Sequence, residues 1–160
     1  MKKLIPLVFS LLTCSAFADV QVSNAYIRAT PPGAPTSAAF MTLKNSNTNE
    51  IKLISVQSEI ARSTELHTVK QENDTMKMRQ VESITIPAAG QVELKPGGNH
   101  IMLIGLNGAI KEGQEVMLIL NFSDGSMQHL MLPVKNIMAT NSMANGEHSS
   151  HSPDHTQKHH

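Results

Sequence analysis

From residue 20 to about 137 the chain alternates short apolar runs with polar breaks. Residues 20–28 alternate as a first strand, and 38–44 (Ala-Ala-Phe-Met-Thr-Leu-Lys) read as a second. Further β-prone runs lie at 51–56, 64–69, 76–81, 83–87, 91–94, 100–106, 115–122 and 127–134. The breaks carry turn chemistry: residues 45–49 and 71–75, Ala88-Ala89-Gly90, Lys95-Pro96-Gly97-Gly98-Asn99, Asn107-Gly108, Lys111-Glu112-Gly113 and Ser123-Asp124-Gly125. Ala29-Thr30-Pro31-Pro32-Gly33-Ala34-Pro35 is a loop, because its prolines remove backbone donors and fix φ. No run shows a convincing helical period, and no internal repeat is visible. The pattern predicts one all-β domain, a sandwich or Greek-key barrel.

The two ends differ from this core. Lys2 and Lys3, an apolar run over 4–12 and Ala16-Phe17-Ala18 read as a secretory signal over residues 1–18, with cleavage leaving Asp19 first. The run is too short for a transmembrane helix, so no membrane insertion is expected after cleavage. Lipidation at Cys14 is the rival reading, and Thr13 before it is a poor fit. Residues 138–160 hold Asn, Ser, Gly, Pro and His with almost nothing to bury, and are expected to be disordered.

Removing the signal leaves eleven basic against thirteen acidic residues, about −2 with histidine neutral. Neither nucleic acid nor an anionic membrane is indicated as a partner. Cys14, the only cysteine, leaves with the signal. The mature chain then has no disulfide and no thiolate ligand, and methionine is its only soft sulfur donor.

Against that background one spacing stands out. His67 is followed by Met78, then by His100 and Met102. Two imidazoles and two thioethers form a neutral, soft set suited to Cu(I). Residues i and i+2 share a face of a strand, so His100 and Met102 point together, away from Ile101 and Leu103 on the natural core side. Met76 and Met78 also share a face, and a hairpin would bring them back toward His67. Parity leaves the face of His67 open. His129-Leu130-Met131 is a second His-x-Met, with Met127 on its face. It lacks a matching His-and-Met pair upstream and is read as structural.

The chain resembles the PCu(A)C family of periplasmic copper chaperones over residues 25 to about 134. The likeness rests on Ala25-Tyr26-Ile27-Arg28-Ala29-Thr30-Pro31-Pro32-Gly33-Ala34 with Ala38-Ala39-Phe40-Met41-Thr42-Leu43. It continues through Glu65-Leu66-His67, Met76-Lys77-Met78-Arg79 and Leu94-Lys95-Pro96-Gly97-Gly98-Asn99-His100-Ile101-Met102-Leu103. His67, Met78, His100 and Met102 agree with the family's metal motif at all four positions. Members often carry an acidic residue and a methionine just after the first histidine, where this chain has Thr68 and Val69. The resemblance implies a cupredoxin-like β-barrel over residues 19–137 and Cu(I) held by the quartet. It also implies delivery to the copper centres of an assembling cytochrome c oxidase subunit in the periplasm, with a thioredoxin-like assembly factor as a further partner. Met76 is a spare sulfur in this picture.

Thioethers do not titrate, so such a site is expected to lose metal only as its imidazoles protonate, about pH 6 for free histidine. The tail adds His148, His151, His155, His159 and His160, with Met138 and Met143. Imidazole-rich tracts read as metal binding, here a second site favouring Cu(II). Other functions fit less well. A blue-copper electron carrier needs a cysteine thiolate. Zinc prefers Cys, His and carboxylate to Met. No Gly-x-Ser-x-Gly, paired catalytic carboxylates or phosphate loop is present, so no enzyme is expected. A periplasmic copper-sequestering or resistance protein is the alternative with the same ligands.

Overall fold

The computed structural model describes residues 20–137, and they form ten strands. These are β1 (Val20–Arg28), β2 (Thr36–Asn45), β3 (Ile51–Gln57), β4 (Ala61–Glu72), β5 (Thr75–Gln80), β6 (Ile84–Ile86), β7 (Gln91–Leu94), β8 (His100–Leu106), β9 (Glu115–Phe122) and β10 (Met127–Lys135). Their order in the sheet is β5-β4-β8-β2-β1-β10-β9-β3-β6, with β7 also on β2. Nearly all pairings are antiparallel; β1 and β10 run parallel. The result is the expected all-β, Greek-key-like, cupredoxin-like fold. Among the described residues no helix is long and apolar enough to cross a membrane.

Period-2 alternation builds the core. In β9 Val116, Leu118, Leu120 and Phe122 point inward, and in β10 Leu132 and Val134 meet them. Ile27, Ala39, Met41, Leu43, Leu53, Leu66, Ile101 and Leu103 complete the same cluster, each at most 4% exposed. Burying one such leucine or isoleucine side chain is worth about 1.5–3 kcal/mol, so this inner face fixes the register of every strand it touches.

Three local features then position what lies on the outer face. The first is the hairpin between β4 and β5. Asn73 and Asp74 both have positive φ, 48° and 61°, as a two-residue turn of the mirror-image type requires. That tight turn sets Glu72 opposite Thr75, and hence Val69 opposite Met78 and His67 opposite Gln80. The second is the break between β7 and β8. Both strands pair with β2, β7 through Met41–Leu94 and β8 through Ala39–Ile101, so the chain leaves the sheet at Lys95 and re-enters at His100. Pro96 and Gly97 (φ 78°) form the turn, closed by Gly98 N–H donating to Lys95 O at 3.0 Å. The third is Asn45, at the end of β2, which the turn signal alone marks as loop. It is fully buried, and its amide nitrogen donates to the carbonyls of Asn49 and Pro87 while its oxygen accepts from Asn47 N–H. One side chain thus ties the 45–49 turn to the strand end that follows β6.

Candidate metal centre

β4 and β8 place His67 directly opposite His100. Leu66 and Ile101, the adjacent pair, are buried in the core, so both imidazoles stand on the outer face. This settles the side that strand parity left open. The ring centroids lie 5.7 Å apart, with planes inclined by 43°. Met102, two residues after His100, shares its face and sits opposite Glu65. Met78 lies opposite Val69, two residues beyond His67, again on that face. Met78, His100 and Met102 line one cleft of about 150 Å3, walled by Phe40, Arg28 and the Pro96–Gly97 turn. All four predicted residues therefore converge on one patch of the outer surface, carried by β4, β5 and β8.

The two imidazoles are held by different partners. His67 Nε2–H donates to Glu65 Oε2 at 2.8 Å. Its Nδ1 is buried and has no hydrogen-bond partner in the protein. His100 Nδ1–H donates to the carbonyl oxygen of Gly98 at 2.8 Å. A carboxylate and a carbonyl only accept, so each contact fixes the tautomer. The free lone pairs are then Nδ1 of His67 and Nε2 of His100. A buried nitrogen with no partner is costly unless something occupies it, and a soft cation meets that requirement. Anchoring the other ring nitrogen in this way is the usual support for a metal-binding imidazole.

Burial differs sharply around the patch. His100 is 4% exposed, whereas Met78 is 51% exposed. The outward display expected of His100 holds for its direction and not for its exposure, because Phe40 and the 95–99 turn cover it. Every residue of β5 is exposed. That strand is an edge with both faces in solvent, tied down by its ladder to β4 and by Arg79, which donates to both carboxylate oxygens of Glu72. The Arg79 guanidinium holds the Glu72 carboxyl below its ordinary range, and the pairing raises Arg79 in turn. Met76, the spare sulfur, is 60% exposed on the same strand. Two charges flank the patch: Arg28, stacked over Phe40 at 5.4 Å, and Glu65.

Sequence reasoning missed Glu65 and the Gly98 carbonyl as imidazole anchors. The i, i+2 spacing of Glu65 and His67 was the legible signal for the first; nothing in the sequence marks the second. A cavity of about 710 Å3 beside Thr30, Pro31 and Ile110 contains neither His nor Met and shares only Arg28 with the His100 cleft. His148, His151, His155, His159, His160, Met138 and Met143, and the signal over residues 1–18, lie outside the described residues.

Comparison with known proteins places the chain. Residues 20–134 match the family model described as "Putative lipoprotein LpqE-like". A protein of Leifsonia xyli subsp. xyli, "Putative lipoprotein Lxx21020", is 37% identical over 123 residues, 76% of this chain and 73% of that one. Among solved structures, Cu(I)-DR1885 from Deinococcus radiodurans is 35% identical over 78% of this chain and 85% of its own, with a TM-score of 0.62. The copper-bound PCuAC domain from PmoF2 shares the fold at a TM-score of 0.63, covering 73% of this chain and 92% of its own at 21% identity. The chain therefore belongs to the LpqE-like family, a group of PCu(A)C type.

Proposed function

We propose that this protein is a copper carrier of the cell envelope, binding Cu(I) through His67, Met78, His100 and Met102. The carrying observation is the cross-strand pair His67–His100 with Met78 and Met102 on the same outer face. Copper in solved relatives, DR1885 as its Cu(I) form and the PmoF2 domain as copper-bound, supports the choice of metal. Nδ1 of His67 and Nε2 of His100 are the nitrogen donors, and the two sulfurs complete a neutral set. A neutral set without thiolate holds copper loosely enough to hand on.

The burial gradient suggests the order of release. His100 is enclosed and its ring is anchored, while Met78 stands exposed on an edge strand with little packing. Met78 is thus the ligand an acceptor displaces first. The resemblance supports an assembling cytochrome c oxidase subunit as acceptor, with a thioredoxin-like assembly factor alongside. The protein acts without turnover, as a binding protein. The lipoprotein names of its relatives support export to the envelope. Within this chain the reading remains a periplasmic protein cleaved after Ala18, since Ala16-Phe17-Ala18 fits a cleavage site and Thr13 is a poor fit before a lipidated Cys14.

Competition against a chromophoric Cu(I) chelator tests the ligand set. The Met78→Leu, Met102→Leu double variant should bind at least 100-fold more weakly than the parent. Unchanged affinity would remove the quartet as the site. Mixing copper-loaded protein with a soluble copper domain of the oxidase should move the metal to that domain. Retention by the carrier would favour sequestration over delivery.

A further inference from the structure

The second His-x-Met sequence, read above as structural, does not pack into the core. Met131 is 53% exposed, Met127 62%, and His129 is exposed between them. The inward positions of β10 are Leu132 and Val134, so the odd-numbered residues face solvent. Across the hairpin, Met131 pairs with Met117, itself 48% exposed, and His129 pairs with Ile119. The upstream partner not visible in the linear spacing is this single methionine on β9.

Directly opposed residues have Cβ atoms about 4.5–5.5 Å apart, and diagonal ones about 7–8 Å. Met117 and Met131 are opposed, and His129 is diagonal to Met117 on the same face. Thioether and imidazole side chains of that length can meet on one atom between them. Burial does not account for three methionines on a solvent-facing sheet surface, because exposing them forgoes the transfer energy that keeps methionine inside. Glu115, two residues before Met117 on β9, adds a carboxylate at the rim of the face. The geometry points to a second soft-cation site, in which Met117, His129 and Met131 bind one Cu(I) ion through two thioether sulfurs and one imidazole nitrogen. Met127 stands next to His129 on that face as a reserve sulfur. The site shares no residue with the His67, Met78, His100 and Met102 patch and lies on β9–β10, so it stands whether or not the quartet binds copper. It would double the copper each molecule carries, on strands far along the sheet order from β4 and β8.

The test is a titration of the full chain, labelled with 13C in methionine methyls and 15N in histidine, with Ag(I) as a redox-stable stand-in for Cu(I). The Met117 and Met131 methyls and the His129 ring should shift along one common isotherm that saturates at a single ion, while the buried Met41 methyl stays still. In Met117→Leu, an exposed substitution that leaves the core untouched, the apparent affinity at Met131 and His129 should fall at least tenfold. Unmoved resonances at several equivalents would overturn the site and leave the patch as a surface for protein contact. Separate isotherms for the three residues, or an undiminished response in Met117→Leu, would overturn it equally.

Discussion

At the scale of single residues, two side chains matter more than their surroundings suggest. Glu65 holds the His67 ring by Nε2 and thereby presents Nδ1. Glu65→Leu should weaken Cu(I) binding about 10–100-fold, the usual cost of losing such an outer-shell partner. Chelator competition measures the loss, and an unchanged urea midpoint would show that the fold is intact. Asn45 satisfies several backbone groups at a fully buried position. Asn45→Ala should cost about 1–3 kcal/mol in urea unfolding, because it removes the side-chain hydrogen bonds to Asn49 O, Pro87 O and Asn47 N–H together. The four candidate ligands could be singled out in the sequence because their spacing agrees with the PCu(A)C motif that the chain resembles; His-x-Met alone occurs twice. Asn45 was not legible, since a run of Asn and Ser reads as an exposed turn until tertiary packing encloses it. The face of His67 was open for a related reason: Leu66 and Val69 lie on opposite faces, and the burial of Leu66 decides the matter.

At the scale of elements, the β4–β5 hairpin is the part of the site with least support. Its six β5 residues are all exposed, and Glu72 with Arg79 clasps its tip. The Glu72 carboxyl is lowered first by its hydrogen bond from Arg79. A lowered folded-state value means that the clasp's contribution is present above the ordinary carboxylate range and is lost as pH falls through the lowered value. Glu72→Gln should therefore speed amide exchange in Thr75–Gln80 at neutral pH, while parent and variant converge in acid. Hydrogen exchange followed by NMR across that range checks it. The strand pattern itself predicted all ten runs, four of them with the bounds observed: Val20–Arg28, Gln91–Leu94, His100–Leu106 and Glu115–Phe122. Register was the illegible part. It depends on the positive φ at Asn73 and Asp74, and a polar turn read over 71–75 does not say that only two residues make it.

At the scale of the whole molecule, one β scaffold displays the candidate ligands on its outer face over an inside that is apolar but for a few side chains such as Asn45. That division explains why the fold class was legible in the strand pattern, whereas the burial differences among the candidate ligands needed the assembled sheet. Export is the remaining whole-chain claim. The intact mass of protein recovered from the envelope should correspond to a start at Asp19 with no attached lipid; a diacylated start at Cys14 would contradict it. The central claim is that two imidazoles and two thioethers on β4, β5 and β8 bind one copper ion together. NMR of the full chain with a single equivalent of Cu(I), which is diamagnetic, tests this most directly. The account predicts that the Met78 and Met102 methyls and the His67 and His100 rings shift first and together. If those four resonances stay in place while the copper is taken up elsewhere, the account is wrong.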